Sequence, residues 1–309
     1  MEASIALKEI TKRYHFGNAL NQVSLGVERG TRFGIVGPSG AGKSTLLEIL
    51  ATLVKPDSGT VFIHGMPLHE NSKQVREISG YVPEQATLNP RGTVFENLRT
   101  HGILYGLTSK RSAVRARQLL DRFGLREHAQ DFPGMLSPSQ RRLLVFCRAI
   151  LPQPELLYMD ETTTLVDYPT SSLIWEELYR QDDGMTVCFA TKSVSEAEKY
   201  ADRYVVLHRG KVLTDRLHED IRHLIQRDTE YYLRLSPPSG RTKALLESIS
   251  TVYALEMDGD QMKFHLERSS DFLAVIDKIG HEAIEDMRVI EPDLNRIILD
   301  FTREEFPEE

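Results

Sequence analysis

No stretch of this chain approaches the roughly 18 consecutive apolar residues that span a bilayer, so no membrane-spanning helix is expected and any membrane role must be borrowed from a partner. Cysteine is nearly missing. Cys147 and Cys188 are the only two, they lie far apart in apolar stretches, and they form no CxxC or metal-ligand spacing. They read as reduced core thiols, which excludes a disulfide framework and fits a cytosolic setting. Positive charge is also short: 38 Lys and Arg stand against 45 Asp and Glu, for a formal net charge of -7. With no basic tract, there is no general attraction to nucleic acid. The opening, MEASIALKEI, carries an acid early and lacks the basic start and long apolar stretch of a signal peptide, so none is expected.

What is present is ordinary in bulk and particular in pattern. At 309 residues with 40% hydrophobic content, the chain is long enough for a large core with a smaller appendage, or for two domains. Ile5 to Leu7 and Val23 to Val27 alternate like strands, and Phe33 to Val36 reads as a buried strand feeding a glycine-rich turn. A helix bearing Leu46, Leu47, Ile49, Leu50 and Leu53 follows and ends before Pro56, and TVFI at 60–63 is a further strand.

The Thr93 to Glu96 capping box opens a helix, and Ala113, Ala116, Leu120 and Phe123 mark another that stops at Gly124. In LSPSQRRLL, 136–144, Ser137 can cap, Pro138 suits the first helical position and Gln140 completes an S-x-x-Q box. The region 86–150 thus looks like a helical insert. Strands return at 156–159, 186–190 and 204–207, separated by helical segments, the second of them opened by a Ser193 to Glu196 capping box. Strands alternating with helices argue for an α/β fold with a largely parallel sheet over residues 1–215.

Residues 216–228 read as a linker and 229–309 as a small α+β domain in the order βαββαβ: YYLRL, TKALLESI, VYALEM and MKFHLE joined by a DGD turn, DFLAVIDKI and RVIEP. That order suggests a split-βαβ, or ferredoxin-like, accessory module. It holds no chemical motif.

Residues 37–45, GPSGAGKST, satisfy G-x-x-x-x-G-K-[ST] between a strand and a helix. Backbone N–H groups of Gly37, Pro38's neighbours Ser39 and Gly40, Ala41 and Gly42 can wrap phosphates, while Lys43 supplies a point charge, Ser44 a hydroxyl for Mg²⁺, and Thr45 the start of the helix. The strand LLYM then ends in two acids, Asp160 and Glu161. Side chains alternate along a strand, so the two should point apart, Asp160 toward Mg²⁺ and Glu161 toward an attacking water.

In this order the motifs resemble the ATP-binding subunits of ABC transporters, a P-loop NTPase fold of mixed sheet plus helical subdomain. GPSGAGKST looks like Walker A, LSPSQ stands where that family has LSGGQ, LLYMDE resembles Walker B, and TLVD, ending in Asp167, resembles the D-loop. Length and C-terminal extension look most like daunorubicin-type exporter subunits. The resemblance implies that Tyr14 stacks on adenine and that Ser137, Ser139 and Gln140 face the γ-phosphate held by a second subunit.

It also exposes departures. Pro138 removes an N–H and Ser139 replaces a glycine, and losing a hydrogen bond to a charged group is worth about 1.5 to 3 kcal/mol, or about tenfold and upward. Glu84 stands at the family's glutamine, where it could still approach Mg²⁺, and Lys192 at its switch histidine, where it could donate to the γ-phosphate. Thr162 replaces the proline after the glutamate.

The implied activity is slow or partner-dependent ATP hydrolysis at Glu161, powering export through a transmembrane permease, with the chain peripheral on the inner face of the membrane. A second ATP-binding subunit would complete the site, a heterodimer being slightly favoured over a homodimer. Two alternatives remain at this point: a regulatory subunit that binds ATP without turnover, and a non-transport ABC ATPase acting on DNA or ribosomes.

Overall fold

The structure is a computed structural model, and the residues described are 3–15, 17–85, 88–163, 166–180, 184–214, 229–235, 246, 248–267, 271–279 and 284–290. The chain divides into two units, Met1–Arg216 and Leu217–Glu309. In the first, the elements follow as β1 (Ala3–Tyr14), β2 (Gly17–Glu28), β3 (Arg32–Val36), α1 (Lys43–Leu50), β4 (Ser58–Ile63), β5 (Met66–Pro67), α2 (Ser72–Glu77) and β6 (Ser79–Val82). Then come α3 (Val94–Leu104), α4 (Ser109–Arg122), α5 (Pro138–Ile150), β7 (Leu156–Asp160), α6 (Tyr168–Arg180), β8 (Thr186–Thr191), α7 (Val194–Tyr200), β9 (Arg203–His208) and β10 (Lys211–Thr214).

The runs that are apolar at nearly every position become the central strands. β3, β7 and β8 are buried along almost their whole length, as strands covered on both faces must be. The sheet order is β10-β9-β3-β8-β7-β6, parallel throughout except for the β10 edge. Parallel pairing puts the carboxyl ends of β3, β6, β7 and β8 at one edge, where ligands bind in open sheets of this kind. A second, antiparallel sheet runs β2-β1-β4-β5, with β1 and β2 longer than the alternating stretches that announce them.

Between the two sheets lies one core, with Ile5, Ile10, Val23 and Ile63 from the antiparallel sheet and Ile35, Tyr158 and Val205 from the parallel one. α1 fills it with Leu46, Leu47, Ile49 and Leu50, each at most 1% exposed. Eight residues are too few for a stable isolated helix. Burial at about 1.5 to 3 kcal/mol per side chain holds it in place.

The helical insert is capped as the sequence indicates. Thr93 and Glu96 form a reciprocal box at α3, Thr108 accepts from Arg111 N at α4, and Ser137 and Gln140 form the box at α5 with Pro138 at its first position. Two expectations are corrected. At α7 only half of the Ser193 to Glu196 box forms: Ser193 Oγ accepts from Glu196 N, but the Glu196 carboxylate accepts from the hydroxyls of Thr191 and Thr163 instead. Asp160 and Glu161 also do not diverge by strand alternation alone, because β7 ends at Asp160 and Glu161 turns into the left-handed region with φ 46°.

On α3, His101 packs against Tyr105 with ring centroids 4.4 Å apart. Burial, followed by the charge of Arg148, pushes its pKa down from 6.5 to about 4. Between those values the unfolded chain binds a proton that the folded chain refuses, so up to about 3 kcal/mol of stability, fully present above pH 6.5, is lost as pH falls through that window. In chemical denaturation from about pH 7 down to about pH 4.5, His101→Gln is expected to lose about 2 kcal/mol less stability than the wild type. Parallel curves for the two proteins would contradict a half-buried imidazole kept neutral.

The second unit holds β11 (Glu230–Leu235), β12 (Val252–Asp258), β13 (Gln261–Leu266), α8 (Phe272–Ile279) and β14 (Ile284–Ile290). Its sheet order is β12-β13-β11-β14, every neighbour antiparallel. Tyr231, Leu233, Phe264 and Leu266 from the sheet, with Val275 and Ile276 of α8, form a separate core. Gly259, at φ 62°, makes the DGD turn between β12 and β13. The expected linker, 216–228, and most of the TKALLESI helix lie outside the described residues.

Candidate nucleotide site

The chain leaves β3 through the glycine loop and enters α1. Two glycines there are dictated by geometry. Gly42 has φ 105°, and a Cβ on it would stand 2.2 Å from Ala19 O; a Cβ on Gly37 would meet Leu207 O at 2.3 Å. The loop is pinned from outside by Gly37 N donating to Thr191 O at 3.2 Å and by Gly210 N donating to Ala41 O at 3.0 Å. Ser39 and Gly40 are exposed at its rim, and Ser44 and Thr45 lie half-buried in the first turn of α1. No side chain caps α1, unlike α3, α4 and α5, so its positive end is left for an anion.

Lys43 is 5% exposed. Its Nζ donates to Gly37 O at 2.8 Å and Pro38 O at 3.0 Å and stands 3.3 Å from Glu161 Oε1. Burial lowers its pKa, and the carboxylate of Glu161 opposes that shift. Asp160 is 2% exposed and has the Ser44 hydroxyl as a neighbour. Burial raises its pKa, with the charges of Glu84 and Glu161 acting in the same direction. Its Oδ1 is buried with no hydrogen-bond partner. An orphaned carboxylate oxygen beside a serine hydroxyl is a hard-oxygen pair of the kind that suits Mg²⁺ sharing its remaining positions with phosphates.

Lys192, at the end of β8, reaches Glu161 from the other side, Nζ to Oε1 3.7 Å. Glu196 bridges threonine side chains on the two flanks of this pair, since Thr191 Oγ1 donates to its Oε2 at 2.5 Å and Thr163 Oγ1 donates to its other oxygen. Glu84 is exposed just after β6. Tyr14 ends β1 with its ring 47% exposed and the Lys12 ammonium 5.6 Å from the ring centroid.

At the start of α5 Gln140 and Ser139 are engaged within the chain. Gln140 Oε1 accepts from Ser137 N at 2.9 Å, and its Nε2 lies 3.0 Å from His128 Nε2. Ser139 Oγ accepts from Asp167 N at 3.5 Å, and Asp167 Oδ1 accepts from Thr170 N at 2.9 Å. Bonds from Ser139 and then Thr170 pull the Asp167 carboxyl down to about 2.

Sequence reasoning missed three features: Arg142, buried on α5 against the strand ends; the bridging role of Glu196; and His128 behind Gln140. Only Arg142 left a signal, a basic residue on the stripe of α5 that also carries Phe146 and Ile150.

A phosphate loop between a parallel strand and an uncapped helix, with a buried lysine and, turned to it, the acids of a parallel strand one place further along the sheet beyond β8, defines the P-loop NTPases. Residues 20–164 match the ABC transporter family. Over 280 residues the chain is 33% identical to the Nod factor export ATP-binding protein I of Cupriavidus metallidurans, covering 89% of this chain and 90% of that protein. It is 29% identical to the daunorubicin resistance ATP-binding protein DrrA3 of Streptomyces coeruleorubidus over 309 residues, 97% and 96% of the two chains. The dimeric post-hydrolysis structure of the ATP-binding cassette MJ0796 bound to ADP and Pi superimposes with a TM-score of 0.64 at 29% identity, covering 68% of this chain and 97% of that one. The chain belongs to the ABC transporter ATP-binding family: it binds ATP and is an ATPase.

Proposed function

We propose that this chain is the motor subunit of an exporter, closing with a second ATP-binding subunit over Mg-ATP and driving a substrate outward through a transmembrane permease. The convergence of Lys43, Asp160, Glu161 and Lys192 on one point carries the reading. The loop amides and Lys43 would grip the β- and γ-phosphates, and Tyr14 would stack on adenine. Ser44 and Asp160, with Glu84 in reach, would hold Mg²⁺, which when bound neutralises phosphate charge. Glu161 would orient and deprotonate the water while Lys192 donates to the γ-phosphate. Ser137, Ser139, Gln140 and Asp167 would face the nucleotide of the other subunit.

Hydrolysis by the isolated chain is slow in this reading. Lys43 and Lys192 both compete with water for Glu161 Oε1, and Pro138 leaves α5 one amide short. A partner subunit bearing a Gly-Gly signature would restore that face for this chain's own ATP, which favours a heteromeric assembly. Restoring it in this chain, with Pro138→Gly and Ser139→Gly together, is expected to raise steady-state turnover about tenfold in a homodimer. Unchanged turnover would mean that the α5 entrance does not limit the rate.

Among the described residues no helix is long and apolar enough to cross a membrane, so attachment to the inner face would come through the permease. A cleft of about 430 Å³ lined by Tyr81, Pro83, His101, Tyr105 and Arg148 supports docking beside the Glu84 segment. Residues 1–215 would be the motor, and the antiparallel β12-β13-β11-β14 order supports a split-βαβ accessory module over 229–309. Relatives named for Nod factor export and daunorubicin resistance support the outward direction.

A further inference from the structure

Arg142 is 5% exposed, and a buried guanidinium is tolerated only when its donors are matched. Here the five N–H groups of the side chain meet five main-chain carbonyls. Nη1 donates to Pro83 O and Glu84 O, each at 2.5 Å. Nη2 donates to Asp160 O at 3.0 Å and Glu161 O at 2.9 Å, and Nε to Thr162 O at 3.1 Å.

The choice of carbonyls matters. Those of residues 83 and 84 belong to the two peptide planes flanking the Cα of Glu84, and those of 160 and 161 to the two flanking the Cα of Glu161. Holding both planes beside a Cα restrains its φ and ψ, and with them the direction in which its Cα–Cβ bond leaves the chain. Glu161 needs such restraint: at φ 46° it sits in a region L-residues avoid, and strained conformations persist only where the surroundings over-determine them. Arg142 itself rides in the second turn of α5, five residues beyond the Ser137 cap.

We infer that Arg142 is a positioning residue, one cation that locks the entrance of α5, the Glu84 segment and the Glu161 turn into a single body, so that displacement of the α5 entrance by a second subunit re-aims both acids. This deepens the proposed function and rests on it for its catalytic consequence. The guanidinium fork is essential, because a lysine ammonium has three donors and must abandon at least two of the carbonyls.

The test compares the full wild-type chain with Arg142→Lys, which keeps charge and much of the packing, and with Arg142→Gln. Three readouts are taken: thermal melting, kcat and KM for Mg-ATP, and hydrogen exchange of peptides covering 83–85 and 160–163. Arg142→Lys is expected to melt as one folded species, to keep KM within about threefold, to lose kcat by about tenfold or more, and to exchange faster in both segments. Arg142→Gln should be worse on each count. A kcat within about threefold of the wild type, or unchanged exchange in either segment of Arg142→Lys, overturns the inference. Wild-type chain that shows no Glu161-dependent turnover would sink the motor reading instead, and the exchange of the two segments would then decide the clamp by itself.

Discussion

Replacing Lys43 with alanine is expected to lower ATP affinity by about a hundredfold or more. The ammonium is buried at the one place where the loop's carbonyls, Gly37 O and Pro38 O, and the acid Glu161 converge. Burial works against its charge, so a triphosphate that supplied further negative oxygen would find an unusually under-solvated cation and gain more from it than from a surface lysine. Removing it deletes the strongest cationic contact of the loop and leaves Glu161, 3% exposed, with the more distant Lys192 as its cation. Titration with a fluorescent ATP analogue measures the change, with circular dichroism confirming the fold. Affinity within about threefold of the wild type would show that the nucleotide is not held at this loop.

Exchanging Glu161 for glutamine is expected to do the reverse, abolishing turnover by about a hundredfold or more while sparing binding. The amide oxygen can still accept from Lys43 and Lys192, so the cluster of buried charges loses a net anion without losing its shape. What the amide cannot do is take a proton from water. ATP affinity should stay within about threefold, and the ATP-bound chain should accumulate as a dimer detectable by light scattering, since closure would no longer be undone by hydrolysis. Turnover that survives in Glu161→Gln would assign the base elsewhere, with Asp160, whose pKa burial raises, the next acid to test. Brisk, glutamate-dependent hydrolysis by the isolated wild type would sink the idea of a throttled site.

Much of this was legible from local spacing. The phosphate loop, the Thr93 and Ser137 capping boxes, the end of α4 near Gly124 and the buried strand before Asp160 each depend on residues within a few positions of one another, and local sterics and hydrogen bonding settle them. The Ser193 box failed on its carboxylate half because Ser193 N donates to Thr191 Oγ1 instead, while Glu196 accepts from that same hydroxyl and from Thr163, which lies 33 positions away. The alternation argument at Asp160 and Glu161 failed because a strand rule was carried one residue past the strand's end.

By itself, then, the sequence determined that a strand, a glycine loop and a helix would make a phosphate cradle, that two acids would close a later strand, and that a proline and a serine would stand at the entrance of α5. Tertiary structure alone decided which groups meet: Glu161 between Lys43 and Lys192, Ser139 against Asp167, and one arginine of α5 across the ends of β6 and β7. The sheet order β10-β9-β3-β8-β7-β6 is not the chain order. Contacts 20 to 59 positions apart, such as those of Arg142 with Thr162 and Pro83, therefore come from how strands are shuffled beside one another, which no spacing along the chain encodes.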